Sequence, residues 1–327
     1  MTMRRFLLAA TFAAAFATAV PVDAADADRY PAKPVTLVVG FAPGGSADIL
    51  ARLTAAKLTT LLGQQVIVEN KPGAGGAIAA GIVAAAPADG YTLLLATSGH
   101  AGLGALYSHL PFDPVKAFAP VAKLGASPVV IVTSAAKPYR SLGDVLAAAR
   151  KAPGKLNYAA GGGGATVTAL AAEYLKSAAK VDMLNVPYKG SGPALTALMA
   201  GEVDLAFDIP SSALPLVKSG KLRALAVTSA TRSSVLPDVA TVAEQGVPGF
   251  EVLGWFGVMA PAATPPAVIA RVNAAIDAML REPDVKDKLV ALGVEPGGGT
   301  PADFGRLLDA DTRRAGEAIR RLGITAD

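Results

Sequence analysis

The stretch Phe41-Ala42-Pro43-Gly44-Gly45-Ser46-Ala47-Asp48 constrains the fold of this chain more than any other. It follows a short apolar strand, Val35 to Val39, and it opens a helix. In that helix Ile49, Leu50, Leu53, Leu58 and Leu61 recur at near-helical spacing until Gly63 closes the run. Strand, glycine turn and helix N-terminus together build an anion site: free backbone N–H groups and the positive end of the helix dipole point into one spot. Glycines let the backbone approach a ligand with no Cβ in the way. Taken alone, the stretch reads first as a tight βα turn with Ser46 or Gly45 as N-cap.

The pattern returns along the chain. Val66 to Asn70 reads as a second strand, followed by a turn at Lys71-Pro72-Gly73-Ala74-Gly75-Gly76 and an Ala-rich helix that ends near Pro87. Tyr91 to Ala96 is a buried-type strand, and Thr97-Ser98-Gly99-His100 lies just past its carboxyl end, where α/β proteins place ligands. Val129 to Val132 is another strand, and Lys137-Pro138 marks a crossing into a second domain. There Leu156 to Ala159, a glycine turn at 161–164 and a helix opening at Ala165-Thr166-Val167-Thr168 repeat the first motif. Further strands are expected at Val181 to Val186, Val203 to Phe207 ending in Asp208, Leu222 to Val227, and Phe250 to Met259 as a return to the first domain; the rest is helical over 266–281, 284–292 and 301–321. Short strands alternating with helices predict an α/β fold of two halves, each a mainly parallel sheet flanked by helices. Two glycine loops facing each other across a cleft form a two-sided anion clamp.

The first residues read as an export leader. Arg4 and Arg5 precede an apolar run from Phe6 to Val20, and Val22-Asp23-Ala24 is a small-residue cleavage site. The run is too short for a membrane span. The expectation is a periplasmic protein cleaved after Ala24. A chain with no cysteine and 327 residues relies on its core rather than on disulfides. A formal net charge of +4 and the lack of a basic run with interleaved aromatics exclude nucleic acid as a partner.

Several chemistries are absent from the sequence. There is no Walker motif, no complete G-x-G-x-x-G and no G-x-S-x-G elbow. Two histidines and no cysteine make no metal cluster, and no cofactor is expected. His100 either lines the cleft or has a plain loop role, and His109 is a surface or packing residue. Asp48 either caps the helix start or accepts a bond from a ligand. Asp208 is either a turn former or a ligand contact. Tyr188 is either a cleft wall or a packed rim residue, and Trp255 reads as core or crossover packing.

Taken in order, these segments resemble a known family. Phe41-x-Pro43-Gly44-Gly45-x-x-Asp48, Val68-Glu69-Asn70-Lys71-Pro72-Gly73-Ala74-Gly75-Gly76 and Asp89-Gly90-Tyr91-Thr92-Leu93 come first. Val186-Pro187-Tyr188-Lys189-Gly190, Gly201-Glu202-Val203-Asp204-Leu205, Gly220 to Ala226, Leu236-Pro237-Asp238-Val239 and Trp255 to Pro261 follow. The set resembles the Bug family, extracytoplasmic solute receptors of tripartite tricarboxylate transporters. The resemblance implies a two-lobed periplasmic binding protein of type II-like architecture, monomeric and non-enzymatic, that closes on a small carboxylate and hands it to transmembrane transporter subunits. Lobe 1 is then 25–130 with 253–327, and lobe 2 is 131–252. By matching position it implies ligand contacts from Ala42, Gly44, Gly45, Ser46 and Asp48, and from Gly164, Ala165, Thr166 and Asp208. Phe41, Pro43, Ser98, Gly163 and Tyr188 complete the expected site. Many family members carry a His about one turn after the second loop, where this chain has Thr168 or Ala169. The rival functions are a ligand-sensing partner of a membrane kinase, and an enzyme using Asp48 and His100.

Overall fold

A computed structural model describes residues 30–161 and 166–323. The expected leader, and Gly163, Gly164 and Ala165 of the second glycine turn, lie outside the described residues. The chain begins with Val35–Val39 (β1), Ser46–Leu62 (α1), Val66–Asn70 (β2), Ala77–Ala84 (α2), Thr92–Thr97 (β3) and Leu103–Leu106 (α3). A long strand, Phe118–Pro128 (β4), leads into Val130–Ser134 (β5), Leu142–Lys151 (α4), Asn157–Gly161 (β6), Val167–Ala179 (α5) and Leu184–Tyr188 (β7). Then come Ser191–Ala200 (α6), Leu205–Asp208 (β8), Pro210–Lys218 (α7) and Leu222–Val227 (β9). The chain ends with Leu253–Pro261 (β10), Pro266–Arg281 (α8), Pro283–Ala291 (α9), Glu295–Pro296 (β11) and Pro301–Leu322 (α10).

These strands form two sheets, one per lobe. The first has order β11-β4-β10-β3-β1-β2 and the second β7-β6-β8-β5-β9. Each contains a parallel trio, β2-β1-β3 and β7-β6-β8, as the strand–glycine–helix repeats require. The remaining pairings are antiparallel, so the sheets are mixed rather than mainly parallel. The reason is connectivity: β5 enters its sheet from the other lobe, and β10 returns, each running against the strands it joins. Strands covered by helices on both faces need apolar residues throughout. In β1 Val35, Leu37, Val38 and Val39 are buried, and in β5 every residue is.

Some details depart from the sequence reading. The buried stripe of α1 is Leu50, Thr54, Leu58 and Leu62 with Ala51 and Ala55, while Leu61 is exposed. The β4 strand, between Pro114 and the crossover, was not anticipated at all. The chain passes between the sheets twice, at Pro128 to Val130 and between Val227 and Leu253. One buried residue ties the two crossings together. Thr228 exchanges bonds with Val129 in both directions, 2.9 Å from Thr228 N to the Val129 carbonyl and 2.8 Å from Val129 N to Thr228 Oγ1. Its hydroxyl also donates to the Val252 carbonyl at 2.6 Å.

Candidate functional site

The first glycine turn is braced from behind. Asp48, on the first turn of α1, is buried, and both its oxygens are taken. Oδ2 accepts from Gly44 N at 2.9 Å and from Arg52 Nε at 2.9 Å; Oδ1 accepts from Asn70 Nδ2 at 3.0 Å and pairs with the other end of the Arg52 fork at 2.9 Å. Burial raises the pKa of this carboxyl, yet the bonds from Arg52, Gly44 and Asn70 outweigh it and hold it below its ordinary value. Asn70 also donates to the Phe41 carbonyl at 3.0 Å. Gly44 takes φ +80°, a conformation that favours glycine. Asp48 therefore shapes the loop, and its lone pairs are spent on the protein.

Across the cleft, the turn before α6 meets this loop. Ala42 N donates to the Lys189 carbonyl at 3.1 Å, a backbone bond between lobes. Gly190 makes the approach possible: it takes φ +148°, and a Cβ there would stand 3.1 Å from Ala42 N. Between the loops lies a cavity of about 40 Å³. Phe41, Gly45, Ser46, Thr97 and Ser98 line it from one side, Gly161, Thr166, Thr168, Ser191 and Ile209 from the other, and Gly254, Trp255 and Phe256 of β10 close it. The starts of α1, α5, α6 and α7 all reach it. Among the described residues no ionisable side chain lines it. Such a site offers backbone N–H groups, hydroxyls and aligned dipoles, which suit an anion.

The expected site residues divide accordingly. Phe41, Gly45, Ser46, Ser98 and Thr166 line the cavity. Thr166 is also the N-cap of α5, accepting from Ala169 N at 3.3 Å and bonded to Thr168 at 3.0 Å between hydroxyls. Ala42, Pro43 and Gly44 sit in the interlobe contact and do not face the cavity. Tyr188 packs on the core of the second lobe. Asp208 lies beneath the cavity lining: Oδ1 accepts from Ser191 Oγ at 2.5 Å, Ile209 N at 2.7 Å and Ser212 Oγ at 3.0 Å. Its Oδ2 is buried with no partner among the described residues. Burial pushes this carboxyl up to about 6, against those three bonds. His100 is interior, its Nε2 donating to the Pro114 carbonyl at 2.6 Å and its ring edge-on to Phe118. Burial takes it down to about 4 despite that bond, so it is a neutral packing residue. Asp48 and His100 thus have separate structural partners and form no acid–base pair.

Thr97, Gly161 and Thr168 belong to segments the sequence placed at the cleft without being singled out as contacts, whereas Ser191, Ile209 and Gly254 are lining residues the sequence reading does not include. Ser191 carried a usable signal, since Tyr188-Lys189-Gly190-Ser191-Gly192 is a third strand–glycine–helix junction. Trp255 packs against Phe304, as core packing requires, and lines the cavity as well.

Comparison with known proteins agrees with this geometry. The model of the tripartite tricarboxylate transporter family receptor matches residues 50–324. Protein BugT of Bordetella pertussis is 37% identical over 328 residues, 99% of each chain. The structure of Rpa4515 of R. palustris with adipate has 38% identity and a TM-score of 0.87, covering 90% of this chain and 98% of that one. MatC of Rhodopseudomonas palustris with bound malate has 36% identity and a TM-score of 0.84, covering 89% and 100%. This chain belongs to the tripartite tricarboxylate transporter receptor family, whose members are solute-binding proteins.

Proposed function

We propose that this chain works in the periplasm as a monomeric receptor that captures a small organic carboxylate between its lobes and delivers it to the transmembrane subunits of a tripartite transporter. One lobe comprises 25–130 and 253–327, the other 131–252, and residues 1–24 are removed on export. The intact mass of exported protein should therefore start near Ala25.

The observation that carries the reading is the convergence of helix starts from both lobes on one cavity with no cation in its described lining. A carboxylate there is held by backbone N–H groups and hydroxyls, each bond to the charge contributing on the order of 1.5–3 kcal/mol. The adipate and malate held by the similar proteins support a carboxylate as the ligand class.

Calorimetry with adipate and malate tests this on two variants. A Cβ at Gly45 would stand 3.4 Å from the Cβ and N of Ser191, so the branched side chain of Gly45→Val intrudes on the opposite lobe. It should weaken binding about tenfold or more. Ser46→Ala removes one donor among several and should cost only a few-fold. A harmless Gly45→Val would place the binding site elsewhere.

A further inference from the structure

Asp208 sits directly behind the wall of the cavity between the glycine loops. It is buried, and its Oδ1 accepts from Ser191 Oγ at 2.5 Å, Ile209 N at 2.7 Å and Ser212 Oγ at 3.0 Å. Ser191 and Ile209 both line the cavity. Ser191 opens α6 and Ile209 is the N-cap of α7, so Asp208 already draws on two of the helix starts that a bound carboxylate would use. Its Oδ2 has no hydrogen-bond partner among the described residues. Three donors hold Oδ1 as an acceptor, which leaves Oδ2 as the oxygen to carry a proton. An unpaired buried O–H is less costly than an unpaired buried charge.

The elements packed around Asp208 offer little to balance a second negative charge. Strand β5, which pairs with β8 at Asp208, and helix α6 carry no ionisable side chain. Tyr158 of β6 donates to Glu173 of α5 at 2.6 Å, and Glu173 pairs with Lys176 at 3.0 Å. Lys218, at the far end of α7, and Lys189, just before α6, are exposed. Arg223 of β9 donates to the Tyr139 carbonyl at 2.9 Å. On α1, which packs against α7, Asp48 pairs with Arg52 at 2.9 Å, and Lys57 pairs with Glu282 and Asp284. None of these charges sets the state of Asp208, which follows burial against its three hydrogen bonds; burial wins and pushes the carboxyl up to about 6. A carboxylate in the cavity would be separated from an ionised Asp208 only by the residues bonded to it, with no cation in the described lining. Like charges that close disfavour each other's ionisation.

We propose that the cavity takes up its carboxylate together with one proton, which Asp208 holds on Oδ2. The proton removes the charge that opposes the ligand. Oδ1 goes on accepting from Ser191 and Ile209 and keeps both at the wall. Asp208 is thus a positioning residue whose protonation governs affinity. The inference rests on the carboxylate-receptor reading and adds the proton to what the site binds.

Calorimetry of adipate and malate with the exported chain tests it between about pH 7 and pH 8, where both acids are ionised. Runs in two buffers of unlike ionisation heat count the protons bound. The count should be close to one per acid, and Kd should rise roughly tenfold across that pH unit. Asp208→Asn, neutral at every pH, should take up no proton, show a flat Kd and bind more tightly than the parent near pH 8. A purely structural role would instead weaken binding equally at both ends of the range. His109→Gln removes an exposed histidine and should leave the count unchanged. Binding without proton uptake, an uptake that survives Asp208→Asn, or one lost in His109→Gln overturns the proposal while leaving a carboxylate receptor intact. Failure of both acids to bind near pH 6 as well as near pH 8 overturns the receptor reading and the coupled proton with it.

Discussion

Asp208 shows how a residue near the ligand can act through its own protonation. Its carboxyl is fully enclosed, takes three bonds on Oδ1 and leaves Oδ2 unpaired. A carboxyl raised by burial from 3.8 to about 6 favours folding in its neutral form. That contribution is complete below the unfolded value and is lost as pH rises through the folded one. Near pH 7.5 the ionised form therefore costs on the order of 3 kcal/mol. Asp208→Asn keeps an oxygen for Ser191 and Ile209 and cannot ionise. Its Tm relative to the parent should rise as pH goes from 4 to 8. A difference that stays constant with pH would show that Asp208 does not titrate there. His100 titrates in the opposite sense, its neutral form being the folded one, and it is common to both proteins, so it cancels in the comparison.

At the scale of elements, the packing of α10 on the first sheet depends on one glycine. Phe304 lies over Gly257 of β10, where a Cβ would overlap the ring, and stacks edge-on against Trp255 with centroids 5.1 Å apart. Gly257→Val should cost about 1–3 kcal/mol by overpacking. Calorimetric melting should register it as a Tm lower by several degrees, and an unchanged Tm would mean the helix tolerates displacement. The strand–glycine–helix junctions were the most legible part of the sequence, because each carries its own apolar run, turn chemistry and helix start. The start of α1 at Ser46 and the strands β1, β2 and β9 fall where the residues placed them. By contrast β4 carries Pro120, Gly125 and Pro128, which read as interruptions. It persists because β10 and β11 pair with it on both sides, and Gly125 is needed there since a Cβ would stand 2.6 Å from the Glu295 carbonyl. The lining of the cavity was half legible for a related reason. Phe41, Gly45 and Ser46 announce themselves locally, whereas Gly254 and Ile209 gain their meaning only when distant segments meet.

For the whole molecule, the decisive geometry is two lobes joined by two crossings. Thr228 fastens both crossings to one point, so rotation needs only a few residues beside it to change φ/ψ. A ligand touching both lobes favours the state in which they meet, through its higher affinity for that state. X-ray scattering with saturating adipate should give a smaller radius of gyration than the ligand-free protein. Equal radii would mean that capture needs no closure.

The mixed first sheet also fixes an order of assembly during synthesis. Its central strand β10, lodged between β3 and β4, is synthesised only after every strand of the second sheet. The second sheet, drawn from residues 130 to 227 alone, is complete first. Until Leu253–Pro261 arrives, β3 and β4 each hold an open edge, a template for wrong pairing. A chain truncated before β10 should thus show protease-resistant fragments from the second sheet and none from the first. Resistance in the first-sheet segments would mean that half of that sheet stands alone.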